Sequence, residues 1–194
     1  PDNLESTQIL SGRSYIMSNE MTIFKEIPGF YKIIPLNVFR NTPGVTFDNI
    51  PTQAIPRIDA IDRVIHASSA ISPGPVGDVA RPWYMHPHQD DNLVVLHGTR
   101  FVDIYIKKYG KIINFEVTPH KIIENGVVIY EGSAMLVWPR GVFHRIKSAD
   151  EGSSAINFAV HYKGMDIRTN FNIYDIDLNT GRFKVLREGF KDQE

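Results

Sequence analysis

His86 and His88 stand as a His-x-His pair in Trp83-Tyr84-Met85-His86-Pro87-His88, directly after a loop rich in Gly and Pro. Residues i and i+2 of a strand point to the same face, roughly 6.6 to 6.8 Å apart along the chain. Two imidazoles so placed can converge on one divalent ion, with N–metal bonds of roughly 2.0 to 2.1 Å and further positions left open. Taken alone, the pair reads more simply as two polar residues on an exposed strand face. The chain has no cysteine. Disulfides, thiolate ligands and thiol nucleophiles are therefore excluded together, the redox compartment is unreadable, and any metal must be held by His, carboxylate or amide.

A second segment, residues 132–144, changes that reading. Gly132 precedes an apolar strand over 134–138, Pro139-Arg140-Gly141 makes a tight turn, and His144 sits just inside the next strand. Together the two segments resemble the cupin superfamily, whose signatures are a His-x-His strand closing in a glycine turn and a Gly, Pro-x-Gly, x-x-His strand pair. His86, His88 and Gly98 match the first, and Gly132, Pro139, Gly141 and His144 the second. The motifs cover residues 83–144. The resemblance implies an all-β double-stranded β-helix, the cupin jelly roll, with an N-terminal extension. It also implies one divalent ion (Fe2+, Mn2+, Ni2+ or Zn2+) on His86, His88 and His144.

The chain departs from the family at the fourth ligand. The family carries a Glu after the second His, and none occurs in His88-Gln89-Asp90-Asp91-Asn92-Leu93. Counting back from Gly98 puts Asp91 in the Glu slot, whereas counting forward from His88 puts Asn92 there. One residue of offset reverses the face of a side chain. Asp91 is preferred because a carboxylate supplies charge to a hard divalent ion and an amide supplies none; with Asn92 facing inward the metal would have three histidines. One extra residue between Gly132 and Pro139 is of the kind a bulge absorbs.

The elements that must position these groups read as strands. Prolines and glycines are spread along the chain and little between them sustains helical spacing. Short β-rich runs recur at 63–66, 83–85, 93–96, 101–106, 112–117, 127–130, 135–138, 142–146 and 155–162, separated by turn signals such as Asn125-Gly126 and Glu151-Gly152. Alternation gives Val102, Ile104 and Ile106 one face, and sets Ile156, Phe158, Val160 and Tyr162, as the core side, against the mixed side Asn157, Ala159 and His161. Residues 1–59 read as an arm with a short strand over 30–34, packing on the barrel or on a partner subunit. The barrel reads as 60–165, and 166–194 as a C-terminal hairpin and tail. Asp175-x-Asp177-x-Asn179-x-Gly181 has some spacing of a calcium loop, but its Gly is misplaced and Leu186 stands where the bidentate Glu belongs, so it reads as a hairpin turn.

Other polar residues have weaker claims. Tyr84 shares the face of His86 and His88 in a regular strand, where its hydroxyl can line a pocket; packing is the equal alternative. Arg100 can bind a substrate carboxylate, though a strand-entry arginine is more often solvated. His66, His97, His120 and His161 read as structural or surface residues.

Basic residues number 21 and acidic ones 22 in a chain of 194, with no basic run to follow a phosphate backbone, so no nucleic-acid partner is expected. The longest apolar run, 134–138, falls far short of the roughly 20 residues that span a bilayer, so no membrane association is expected. The first residues carry no secretory signal, and Met17-Ser18-Asn19-Glu20-Met21 resembles an internal start, so part of 1–16 reads as non-native, although Tyr15-Ile16 could add a strand. A cytoplasmic homodimer is expected. The first expectation for function is a small-molecule dioxygenase-type enzyme, because three neutral imidazoles leave the charge of an ion open to an anionic chelating substrate. A non-catalytic ligand-binding or sensor cupin is the alternative, as is a sugar isomerase or epimerase. The chain looks somewhat like the deoxysugar-nucleotide epimerase branch of the fold, which implies His86 or His88 as base and a tyrosine as acid. The absence of an arginine cluster for a diphosphate counts against it.

Overall fold

A computed structural model describes residues 22–193; the readings of Tyr15-Ile16 and of a start at Met17 lie outside the described residues. The arm contributes β1 (Lys25–Ile27) and β2 (Tyr31–Pro35), followed by a separate hairpin of β3 (Asn37–Thr42) and β4 (Val45–Asn49). The barrel comprises β5 (Ala60–His66), β6 (Ile71–Ser72), β7 (Trp83–Met85), β8 (Gln89–Tyr105), β9 (Ile112–Thr118), β10 (Lys121–Glu124), β11 (Val127–Glu131), β12 (Ala134–Trp138) and β13 (Phe143–His161). A short helix, α1 (Ile167–Asn170), leads to a hairpin of β14 (Ile173–Ile176) and β15 (Phe183–Arg187).

Two long strands organise the barrel. The sequence breaks at Gly98 and Gly152 suggested four short strands, but β8 and β13 each run through and pair antiparallel from His144 opposite Ile104 to His161 opposite Gln89. The register shifts between Ser148 and Ser153. Each strand thereby serves two sheets. The first half of β8 pairs with β12, which pairs with β2, while the second half of β13 pairs with β5. Beyond the bend, β8 pairs with β9, and the first half of β13 pairs with β7 and β6. Side chains of both sheets meet in one core that includes Leu93, Val95, Val102, Ile104, Phe115, Val117, Leu136 and Trp138.

Glycine is required at the bend. Gly98 has φ +70°, and a Cβ there would run into the carbonyl oxygen of Gly152. This is the glycine that the sequence matched to the cupin turn.

The outer faces are covered from both ends of the chain. Ile55 of the arm is buried with Val94, Met135 and Val160 on the outside of the first sheet, and Phe158 and Tyr162 pack there too. The expected polarity of the second half of β13 is therefore reversed: its apolar side packs under the arm, and the mixed side, with Asn157 and Ala159, looks into the barrel. On the second sheet, Trp83, Met85, Tyr105 and Phe143 are covered by Tyr174 and Ile176 of the C-terminal hairpin. In the turn of that hairpin, Asp177 accepts hydrogen bonds from the backbone N–H of Asn179 and Thr180 and from the Thr180 hydroxyl. That is a side-chain-capped turn, as the sequence indicated. Among the described residues no helix is long and apolar enough to cross a membrane.

Gly98→Ala should lower the unfolding free energy by about 2 kcal/mol or more, because positive φ and a backbone collision add. Gly44→Ala, with φ +76° but open space around it, should cost only about 1 kcal/mol. Urea unfolding of both variants at unchanged m-value reads the difference.

Candidate active site

Strand alternation delivers most of the site. Gln89, Asp91 and Leu93 of β8 face one cavity, as do Asp62, Val64 and His66 of β5 and His144 and Ile146 of β13. Tyr84 of β7, His86 just after it, Arg100 beyond the bend, Trp138, Asn157 and Phe171 complete the wall of a cavity of about 320 Å³.

Three of the four expected ligands come together. One nitrogen each of His86 and His144 and a carboxylate oxygen of Asp91 all lie within 4.8 Å of one another, and all three residues are buried. Of the two readings of the fourth position, Asp91 is the one that faces in. Asn92 faces the other way, where its amide donates to the carbonyl of Phe158.

His88 does not join them, and this corrects the sequence expectation. β7 ends at Met85 and β8 begins at Gln89, so His86-Pro87-His88 is not extended strand; Pro87 has no N–H to continue a ladder. The His88 ring lies against Gly164, and its carbonyl accepts from the N–H of Tyr162. The spacing argument failed because it assumed a regular strand through a proline.

A chain of hydrogen bonds fixes the buried groups. The Nδ1–H of His86 donates to the carbonyl of Asn170 at 2.5 Å. The Asn170 side-chain amide donates to Gln89 Oε1 at 2.9 Å, and Gln89 Nε2 donates to Asp91 Oδ1 at 2.8 Å. Asn157 Nδ2 reaches the same Oδ1 at 2.8 Å. The ring closes where His86 Nε2 faces Asp91 Oδ2 at 3.5 Å. Because a carbonyl only accepts, Nδ1 of His86 carries a hydrogen, and Nε2 is the ring atom turned towards Asp91 and the cavity. His144 is arranged alike, with Nδ1 3.2 Å from the carbonyl of Val142. Among the described residues, Asp91 Oδ2 and the indole N–H of Trp138 are buried without a hydrogen-bond partner.

Electrostatics keep His144 neutral. Burial, with help from His86 beside it, pushes its pKa down to about 4, against the opposing pull of Asp91. Burial pushes the Tyr84 phenol up, partly offset by a bond with Ser72. Tyr84 lines the cavity and also packs against both histidines, with ring centroids 6.4 Å from His86 and 6.0 Å from His144.

Sequence reasoning missed several residues. His66 was read as structural or surface but lines the cavity, and Arg100, expected to be solvated, is 1% exposed. Asp62, Gln89, Asn157 and Asn170 went unnoticed. The signal for β5 was present as an inverted pattern, with Asp62 and His66 turned inward while Ile61 and Ile65 are exposed. His97 and His120 are exposed, as read.

No protein-family model matches the sequence, and no curated protein is similar to it in sequence. Solved structures do resemble the fold. A 4-keto-6-deoxy sugar epimerase from Streptomyces spheroides is 13% identical at a TM-score of 0.51, with 72% of this chain and 68% of that one covered. A dTDP-4-dehydrorhamnose 3,5-epimerase from Sulfolobus tokodaii is 18% identical at 0.51, covering 75% and 77%. An RmlC epimerase of Mycobacterium tuberculosis is 8% identical at 0.50, covering 72% and 67%. The chain shares the antiparallel β jelly-roll fold of these structures.

The pKa of His144 carries a stability prediction. An unfolded histidine takes its proton near about pH 6.5, whereas the folded His144 resists until about 4. In that window the unfolded state binds more protons, so stability falls as pH is lowered through it and is flat above. Urea midpoints at about pH 7 and about pH 5 should show the loss. His144→Gln should reduce the slope, and His66, also pushed down to about 4 by burial and by Arg100, should leave a remainder.

Proposed function

We propose that the protein is an isomerase or epimerase of a small hydroxycarbonyl compound, sugar-like in its chemistry, that moves a proton at the carbon beside a carbonyl. The observation that carries this reading is the buried pairing of His86 Nε2 with Asp91 Oδ2 at 3.5 Å, in a cavity that Tyr84 also lines. Nε2 accepts the proton from the substrate carbon, and the imidazolium that forms faces a carboxylate already held by two amides. The oxygen that gains charge in the enolate needs a donor, and the unpartnered indole N–H of Trp138 is one. The Tyr84 hydroxyl, kept protonated by burial, lines the same cavity beside the histidines and supplies a proton donor there. The three solved structures of similar fold are epimerases, two of them of keto-deoxy sugars, which agrees with this reading.

A dioxygenase built on three neutral imidazoles is not what the residues form, since the site brings together two imidazoles with a carboxylate. A divalent ion remains a second reading, favoured by one observation. Three lone-pair donors converge, and both histidines have Nδ1 facing backbone carbonyls, the arrangement by which ligating histidines are oriented. His86, Asp91 and His144 would hold Fe2+, Mn2+, Ni2+ or Zn2+, which would polarise the substrate carbonyl.

Proton NMR in D2O, with ketoses, keto acids and 4-keto sugars as substrates, should show deuterium entering the position beside the carbonyl. His86→Asn should lower that rate by about 10² or more. Binding of a compound without exchange would instead identify a ligand-binding protein. Elemental analysis before and after incubation with the four ions separates the two versions of the site. Full exchange by chelator-treated, metal-free protein favours the proton-transfer version, whereas a stoichiometric ion, lost in His144→Ala along with exchange, favours the other.

A further inference from the structure

We propose that Arg100 anchors a single anionic group of the substrate, a carboxylate or a phosphate monoester, at the end of the cavity away from His86 and His144. The inference deepens the proposed function and rests on it.

Arg100 is 1% exposed, and it lines the cavity. Its Nε donates to Ser153 Oγ at 3.0 Å and Nη2 to the carbonyl of Val64 at 2.9 Å. Both partners are neutral. The other arginines with a carboxylate beside them are far more exposed: Arg145 and Arg81 share Asp103, Arg57 meets Asp59, and Arg187 meets Asp192. Among the described residues no carboxylate lies within ion-pair distance of Arg100. A guanidinium taken out of water with no counter-charge is unfavourable unless something else supplies one.

Its surroundings fit an anion. His66 shares the end of the cavity, with Nδ1 3.0 Å from Ser148 Oγ, and Ser148 is 2.6 Å from Ser153 Oγ. Burial lowers the pKa of Arg100 to about 10, and the same positive charge helps hold His66 neutral. A bound anion would relieve both. Asp62, which also lines the cavity, accepts from the amide of Asn157 at 3.2 Å.

Spacing and size set the substrate class. Arg100 lies opposite Ser148, four residues along β13 from His144, which is roughly 13 Å of strand; Ile146 lines the wall between them. The anionic group therefore sits several bonds from the reacting carbon. The cavity, about 320 Å³, is at the small end of ligand sites, and Arg100 is the only lysine or arginine among its described lining residues. That suits a sugar acid or sugar phosphate with one anionic group, and not a nucleoside diphosphate sugar.

Calorimetric titration and thermal melting of wild type, Arg100→Gln and Arg100→Lys test this, with ribose 5-phosphate, glucuronate, uncharged ribose and glucose, inorganic phosphate and acetate as probes. At least one anionic probe should bind wild type about tenfold or more tightly than its uncharged counterpart. Preference for phosphate or carboxylate probes identifies the group. Arg100→Gln should melt no lower than wild type and lose the anion-dependent rise in melting temperature. Should it fail to fold, Arg100→Lys, which keeps the charge but not the planar fork, should bind the anion about tenfold more weakly. Equal affinity for charged and uncharged probes, no binding of any anion, or unchanged anion affinity in the variants would overturn the proposal. Anion binding without deuterium exchange would count only against the isomerase reading. Exchange of anionic sugars at equal rates by wild type and Arg100→Gln would count only against the anchor.

Discussion

Because β8 and β13 pair along nearly their whole length and yet change sheets at a bend, every residue of the cavity depends on their register. His144 is fixed opposite Ile104, Ser148 opposite Arg100, and Asn157 opposite Leu93. A slip of one residue would turn Asp91, Arg100, His144 and Asn157 away from the cavity together. The bend is permitted by Gly98, whose Cα approaches the Gly152 carbonyl too closely for any side chain. The close approach there and the proton chemistry proposed at the other end of the same strands are consequences of one pairing.

The site is expensive to build, and its hydrogen bonds show how the cost is met. A carboxylate 4% exposed is costly where its oxygens go without hydrogen bonds. Asp91 instead has Oδ1 held by amides from two different strands, Gln89 of β8 and Asn157 of β13. Gln89 is itself held by Asn170, whose backbone carbonyl orients His86. The network reaches from the barrel to α1 and back, so the C-terminal segment is part of the site. Groups positioned before a substrate arrives need no rearrangement when charge develops on it.

The sequence was informative wherever alternation or a turn residue carried the information. Most strands, the glycine at the bend, the capped hairpin at Asp177, and His86 and His144 were visible in that way. Asp91 was separable from Asn92 only by weighing charge against amide; in the strand Asp91 faces the cavity and Asn92 does not. His88 was misread because proline interrupts the strand between the histidines. Arg100 and His66 were misread for a different reason: on β5 the polar side is the inner one, and Arg100 faces inward on the same side of β8 as Val102 and Ile104. No local pattern reveals that inversion, which depends on the bend in β8 and on the arm that buries the apolar side of β13.

This inversion divides labour within the barrel. Beyond the bend the inward residues are Val102, Ile104, Ile113, Phe115 and Val117, close-packed in the core. Two further clusters lie outside the sheets, under the arm and under the C-terminal hairpin. Apolar burial at about 25 cal/mol per Å² is therefore gathered largely away from the cavity wall. Arg100, His66, Asp91 and His144 contribute little of it, and their unpaired or half-paired groups work against folding. A fold that places its apolar packing in these surrounding clusters can tolerate such groups facing one another across a cavity. Strain of this kind is expected where a site is shaped for the charge of something it binds and not for its own stability.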